Sequence, residues 1–236
     1  MAHLRASGER YQKPLDAALE FIVMNYDAYR IPELREMAKE LGVADIAEVV
    51  LSHPHFGVWT ASNNISKHHY GKGGLQHHTW EVCKLCLETA KFHSTISKEP
   101  IDLKILFLGA LFHDVGKIWD YEPYTYRFDE ESQGTVPDKP SQEPITNTTE
   151  WWGTQHRRKI HHISRSASVW QKAVAECTSY LSIEDDVLHC ILSHHGLREW
   201  GSPVMPKTRE AWILHHCDSL SARMNDCDSW DQTTKK

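Results

Sequence analysis

The chain has 236 residues, 40% of them hydrophobic and 25% charged, a globular composition whose length suits one domain or one domain with an appendage. Its formal charge of −6 argues against a nucleic-acid coat protein with a long basic track, though not against a local basic pocket. No apolar run approaches the roughly 20 residues of a membrane helix, and Met1 to Pro14 holds no apolar signal core, so the expectation is a soluble, cytoplasmic protein without membrane association.

Helical periodicity recurs along the chain, and alternating strand patterns hardly occur. The spacing predicts helices over 14–28, 32–41, 44–52, 76–94, 102–115, 162–180, 184–195 and 207–225. Pro32 suits a first helical turn and Gly42 a stop. In 76–94, Val82, Leu85, Cys86, Thr89 and Ala90 share a face, and Ala211, Leu214, Cys217 and Met224 do the same further on; both are ordinary core stripes. Cys83 and Cys86 form a C-x-x-C with no second one to complete a four-cysteine zinc site, and they read as buried thiols in a reducing compartment. The run Ile105 to Phe112, interrupted only by Gly109, reads as a buried helix. Residues 120–156 carry Pro123, Gly134, Pro137, Pro140 and Pro144 among polar clusters, and read as a long inserted loop or lid without regular structure, part of it packed through Trp151 and Trp152. The resulting organisation is a single helical domain over 1–227: N-terminal helices in 1–52, a core over 53–227 and a frayed tail over 228–236.

The 17 histidines, many in adjacent pairs, carry the chemical signal, because imidazole is the commonest metal ligand. His113-Asp114-Val115-Gly116-Lys117 follows the apolar helix. Adjacent helical residues diverge by roughly 100°, yet a His-Asp dyad in a last turn converges on one ion if the two side chains reach from either side. Gly116 would supply the chain reversal there, and Lys117 a cation for phosphate. His194-His195-Gly196 repeats the arrangement after Val187, Leu188, Ile191 and Leu192, while His78 and Asp218 fall on other predicted helices.

The order H…HD…H…HH…D resembles the HD superfamily of metal-dependent phosphohydrolases. Gly73-Gly74-Leu75-Gln76-His77-His78-Thr79 is similar to that family's G-G-L-x-x-H-T opening, and His113 to Lys117 to its H-D-x-G-K. Ile191 to Gly196 with Glu199-Trp200-Gly201-Ser202-Pro203, the run Leu214 to Met224, and Lys67-His68-His69-Tyr70 resemble the HD domain of bacterial 3′–5′ exoribonucleases. The resemblance covers roughly 53–119 and 160–226 and is carried by the set of motifs together, H-D alone being weak.

This resemblance implies an all-α, orthogonal helical bundle with ligands from at least four helices, and two divalent transition-metal ions. One ion would be held by His78, His113, Asp114 and Asp218, and Asp114 would bridge to a second held also by His162 and His194. His162 rather than His161 follows from the family's H-I-S register, and His77 is the neighbouring alternative to His78. His195 would be a ligand of the second ion or a phosphate contact. His68, His69, His161, His215 and His216 are either outer partners of the ligands or simply packed and exposed histidines. Imidazole mixed with carboxylate favours Mn, Fe, Co, Ni or Zn over Mg.

The implied reaction is phosphoester hydrolysis by an in-line attack of metal-acidified hydroxide on phosphorus. Asp114, Lys117 and His195 would be catalytic, and Lys117, His195, Arg157, Arg158 and Trp152 would touch the substrate. Arg157, Arg158 and Lys159 read equally as a solvated basic turn, and Trp151 and Trp152 as base-stacking or buried residues. No G-x-S-x-G or P-loop signature is present. The expected partner is a small phosphorylated substrate: a nucleotide, a dinucleotide or a short single-stranded oligonucleotide 3′ end. The acidic balance favours the smaller ones, as does the lack of any run reading as the N-terminal OB-type domain of those exoribonucleases. The 120–156 insertion also replaces their short connection. Two rival readings are a dinuclear-iron oxygenase resembling inositol oxygenase and a non-catalytic nucleotide-binding HD module. His195 and the exonuclease-like flanks count against the first, and the complete ligand set against the second.

Overall fold

The computed structural model describes residues 29–65, 67, 69–129 and 134–233. The helix expected over 14–28 and His68 lie outside the described residues.

Two short helices, α1 (Ile31–Glu40) and α2 (Ala44–Leu51), open the described chain. Pro32 sits in the first turn of α1, and Gly42, at φ 65°, turns the chain between them. The long helix α3 (Gly74–Ile96) leads to α4 (Leu103–Phe112), whose first turn is capped by the Asp102 carboxylate accepting from the N–H groups of Lys104 and Ile105. Every residue from Ile105 to Phe112 is buried. A helix apolar on all sides belongs at the centre of a bundle, and α4 takes that place against α3, α2, α7 (His162–Glu176), α8 (Glu184–Ser193) and α9 (Arg209–Thr233). Gly109 permits the close approach of α8, since a Cβ there would stand 2.7 Å from Cys190 Cβ. Trp170 of α7 closes the other side of α4, edge-on to Phe112 at 5.2 Å, with its indole N–H donated to Glu184 O. Each such fully buried large apolar side chain contributes about 1.5–3 kcal/mol.

The helical expectation holds, with shifted ends. Helix α7 stops at Glu176, and the rest of the predicted 162–180 segment enters a 3-10 helix, Thr178–Ile183. Helix α9 runs on to Thr233, past the point where the sequence reads as a frayed tail. Cys83 and Cys86 are buried free thiols, and burial pushes both up.

The 120–156 insertion departs from the expectation of an irregular loop. After a single turn, α5 (Lys117–Asp120), it forms an antiparallel sheet of β1 (Tyr121–Asp129), β2 (Gly134–Pro140) and β3 (Glu150–Gly153) in the order β2-β1-β3, and a short helix α6 (Gln155–Lys159) follows. Tyr124, Thr125, Tyr126 and Phe128 are good strand formers. The prolines that argue against a sheet occupy tolerated places: Pro137 and Pro140 on the edge strand β2, and Pro123 where β1 is flanked by β3 but not yet by β2. Trp59 donates its indole N–H to Tyr121 O, and Thr154 donates its N–H to Asp120 O and its hydroxyl to Trp119 O, so both ends of the insertion are tied to one spot on the bundle. No helix among the described residues is long and apolar enough to cross a membrane.

Candidate metal centre

Two histidines reach the centre by the same local device. His113 and His194 each stand at the C-terminal end of an apolar helix, α4 and α8. The last carbonyls of a helix lack intrahelical partners, and each imidazole uses one: His113 Nδ1–H donates to Ala110 O at 2.6 Å, and His194 Nδ1–H to Ile191 O at 2.7 Å. Spending Nδ1–H this way aims Nε2 away from the helix, as in histidines that bind metals. His78, in the first turns of α3, donates Nδ1–H to Ser221 Oγ at 3.1 Å, and Ser221 passes its own hydrogen to Glu81 Oε2 at 2.6 Å. His162 opens α7, with its Nδ1–H on Asp120 Oδ2 at 3.2 Å.

All four Nε2 atoms meet around Asp114. Its Oδ2 lies 3.2 Å from His78 Nε2 and 3.4 Å from His113 Nε2, and Asp218 Oδ1 lies 3.1 and 3.7 Å from the same two nitrogens. Its Oδ1 lies 3.5 Å from His162 Nε2 and 3.7 Å from His194 Nε2. Asp114 thus gives one oxygen to each of two donor groups, His78–His113–Asp114–Asp218 and His162–His194, the latter joined by His195. Lys117 is buried, with Nζ 2.6 Å from Asp114 Oδ2.

Three of these buried atoms, Asp114 Oδ1, His162 Nε2 and His194 Nε2, have no hydrogen-bond partner among the described residues. Buried polar groups carry a free-energy penalty unless something pairs with them. Imidazole nitrogens mixed with carboxylate oxygens, turned inward and unpaired, fit a divalent transition-metal ion. Burial alone would lower His113, but the Asp114 and Asp218 carboxylates outweigh it and hold its imidazole up to about 10. Burial opposes ionisation of both carboxylates, yet Lys117 and His113 beside Asp114, and His113 and His78 beside Asp218, hold each well below the usual range. Burial depresses His162 to about 4 despite Asp120, and burial with His195 and His113 nearby holds His194 well below the usual imidazole range, so both are neutral donors at pH 7.

His78, not His77, faces this cluster; His77 turns toward Trp80 and His69. His162 enters it, while His161 sits at its rim with a strained φ of 69°. His195 is half-buried and donates Nδ1–H to Trp200 O at 2.9 Å. His69 is buried, with Nε2 3.1 Å from Glu81 Oε2. His215 donates Nδ1–H to His194 O and lies flat beneath Gly196, where a Cβ would stand 2.3 Å from its ring. His216 is exposed and stacks on Trp212, away from the centre. Gly196, at φ 81°, reverses the chain as expected. Gly116 does not: its φ is −61°, and glycine is needed there because a Cβ would lie 2.2 Å from His162 O. Trp151 is buried edge-on to Trp59, whereas Trp152, Arg157, Arg158 and Lys159 are exposed.

Asp120, Ser221 and Glu81 fall outside the ligand pattern that the sequence displays. Asp120 is fully buried and accepts from His162 N–H, His162 Nδ1–H and His156 Nδ1–H. An acid so soon after H-D-V-G-K, with Ile118 before it and Tyr121 after, was its available signal. Ser221 and Glu81 carry no comparable mark.

The centre opens into a cleft of about 400 Å³, lined also by Lys67, Arg157, His161, Trp200 and Arg223. A helical bundle whose central helix ends in a His-Asp dyad, with further histidines and an aspartate converging from other helices, is the architecture that the sequence resemblance implies. A family model for the HD domain matches residues 75–223, and the chain belongs to the HD domain family. It is similar to the 3′–5′ exoribonuclease YhaM of Bacillus subtilis (strain 168), with 32% identity over 165 residues that make up 68% of this chain and 42% of that protein. The YhaM of Listeria welshimeri is 28% identical over 172 residues, 71% of this chain and 44% of that protein. The chain therefore spans less than half the length of these relatives. No solved structure gives a significant match.

Proposed function

We propose that this chain is a metal-dependent phosphohydrolase acting on a nucleotide, a dinucleotide or a short oligonucleotide end. The observation that carries the proposal is Asp114, buried between two donor groups and offering one oxygen to each. His78, His113, Asp114 and Asp218 would hold one divalent ion, and Asp114, His162 and His194 a second. Bound there, such ions acidify water and polarise phosphoryl oxygens. The exoribonuclease activity named for the relatives supports a nucleotide phosphoester as the substrate class.

The protein's own side chains supply the remaining functions. Lys117 lines the cleft while paired to Asp114, so its charge is available to a phosphoryl oxygen without an isolated cation being buried. His195, its Nδ1–H fixed on Trp200 O, contacts the phosphoryl group through Nε2 from the second donor group's side. The hydrolysis itself adds water to phosphorus and breaks the P–O ester bond; the leaving oxygen takes up a proton.

The test is turnover of bis-(p-nitrophenyl) phosphate, nucleoside monophosphates and short single-stranded RNA by Mn²⁺-loaded protein, with Asp114→Ala in parallel. Turnover that disappears in the variant is expected. Failure on every phosphoester, together with oxygen consumption by the iron-loaded protein, would overturn the proposal.

A further inference from the structure

The insertion builds a second cavity, of about 340 Å³, beside the metal-centre cleft. Both volumes fall in the roughly 300–1,000 Å³ range of small-molecule sites. Arg157 and His161 line both, so the two are contiguous.

Neighbouring strand residues point to opposite faces, and in β3 this sends Trp151 into the core at 2% exposure and leaves Trp152 at 41% on the wall of the cavity. Tyr124 of β1 flanks the Trp152 ring at 5.8 Å. Arg157 and Arg158 line the same cavity, and no described residue lining it is acidic. Arg157 is held toward the junction of the two cavities: its Nη1 donates to Asn63 Oδ1 at 3.2 Å, and its guanidinium lies over the Tyr121 ring at 5.3 Å. At the boundary sits His161, in a left-handed conformation that a non-glycine residue adopts only under constraint. An exposed aromatic ring and two arginines lining one cavity, beside a phosphoryl site, are the chemistry that takes a base by stacking and its phosphate by charge.

We infer that this cavity binds the second nucleotide of the substrate, its base on Trp152 and its phosphate against Arg157 and Arg158, while the scissile phosphodiester lies over Asp114 in the adjoining cleft. The inference rests on reading the centre as a phosphohydrolase site, and it narrows the substrate to one with at least two linked nucleotides and a phosphate beyond the scissile diester. The β3 end of the insertion then selects substrate length.

Equilibrium binding of hydrolysis-resistant phosphorothioate ligands to the Mn²⁺-loaded full chain tests it. Wild type should bind a 5′-phosphorylated linear dinucleotide, which carries a second phosphate besides the scissile one, at least about tenfold more tightly than the matching mononucleotide. Trp152→Ala should remove most of that preference, Trp152→Phe should keep it, and Arg158→Ala should weaken the dinucleotide mainly at low salt. Equal binding of the dinucleotide and a hexanucleotide would support the site in its dinucleotide form; tighter hexanucleotide binding would support it as a grip on a strand end. Equal wild-type affinity for mono- and dinucleotide, or a preference untouched by Trp152→Ala, would overturn the inference. The two readings fail separately. If bis-(p-nitrophenyl) phosphate is hydrolysed but length preference is absent, only the subsite falls. A Trp152-dependent preference without turnover of any phosphoester would remove the catalytic reading and leave the subsite standing.

Discussion

Asp120 accepts two hydrogen bonds from His162, one from its backbone N–H at 3.0 Å and one from its imidazole Nδ1–H at 3.2 Å. A single buried carboxylate therefore fixes both where α7 begins and which ring nitrogen faces Asp114. Outer partners of this kind set the affinity of the ligands they orient. Asp120→Ala is expected to lower Mn²⁺ affinity by roughly 10–100-fold, measured by calorimetric titration of the folded variant. Unchanged affinity would mean that His162 is positioned by α7 alone.

Lys117 allows a different separation. It pairs with Asp114 but belongs to neither donor group. Lys117→Ala should retain metal, counted by elemental analysis, and lower kcat/KM on a phosphodiester roughly tenfold to hundredfold, the range expected for one lost charged hydrogen bond. Loss of the metal instead would make the lysine a support of the centre and not a contact of the substrate.

Gly116→Ala tests the packing of α5 against α7. The added Cβ would meet His162 O at 2.2 Å and His162 C at 2.8 Å, backbone atoms that have nowhere to retreat. Overpacking of this sort costs about 1–3 kcal/mol or more, read as a lower denaturant midpoint. A variant as stable as wild type would show that α7 slides freely, contrary to its anchoring on Asp120.

Tyr180 donates its hydroxyl to Asp45 and so ties α2 to the 3-10 helix after α7. That hydrogen bond holds the Asp45 carboxyl below its usual range, against a smaller opposing effect of burial. A depressed folded pKa means that the stabilisation is fully present above the unfolded aspartate pKa, about 3.9, and disappears as pH falls through the folded value. Asp45 is largely exposed, so Tyr180→Phe should cost only about 1 kcal/mol at pH 7. Chemical denaturation at a series of pH values should show the gap between wild type and variant closing in acid. A gap that stays constant down to pH 2 would assign the loss to packing.

Much of this was legible from residue order. The run Ile105 to Phe112 has no polar face, so a central helix followed, and the dyads at the ends of α4 and α8 came with it because each closes an apolar run. His78 against His77 could not be separated by periodicity, since both fall within a helix opening; the contact with Ser221, far along the chain, is what distinguishes them. The sheet was missed because its prolines sit where the missing N–H does no harm, a property of strand order and not of composition. Gly116 looks like a turn former in the sequence, whereas its reason is proximity to α7, which no local pattern contains. Asp120 and Ser221 act through a partner's back side, and that leaves no spacing to read.

The insertion leaves the bundle at Tyr121 and re-enters at Gly153, which are partners in the β ladder. To the bundle, everything between them is a single junction. The entropy of closing a loop grows only with the logarithm of its length, so lengthening or exchanging that excursion would disturb the helices little once the junction is kept. The rim of the cleft and its floor are in that sense separable parts: one can be rewritten for a new ligand while the other keeps its geometry.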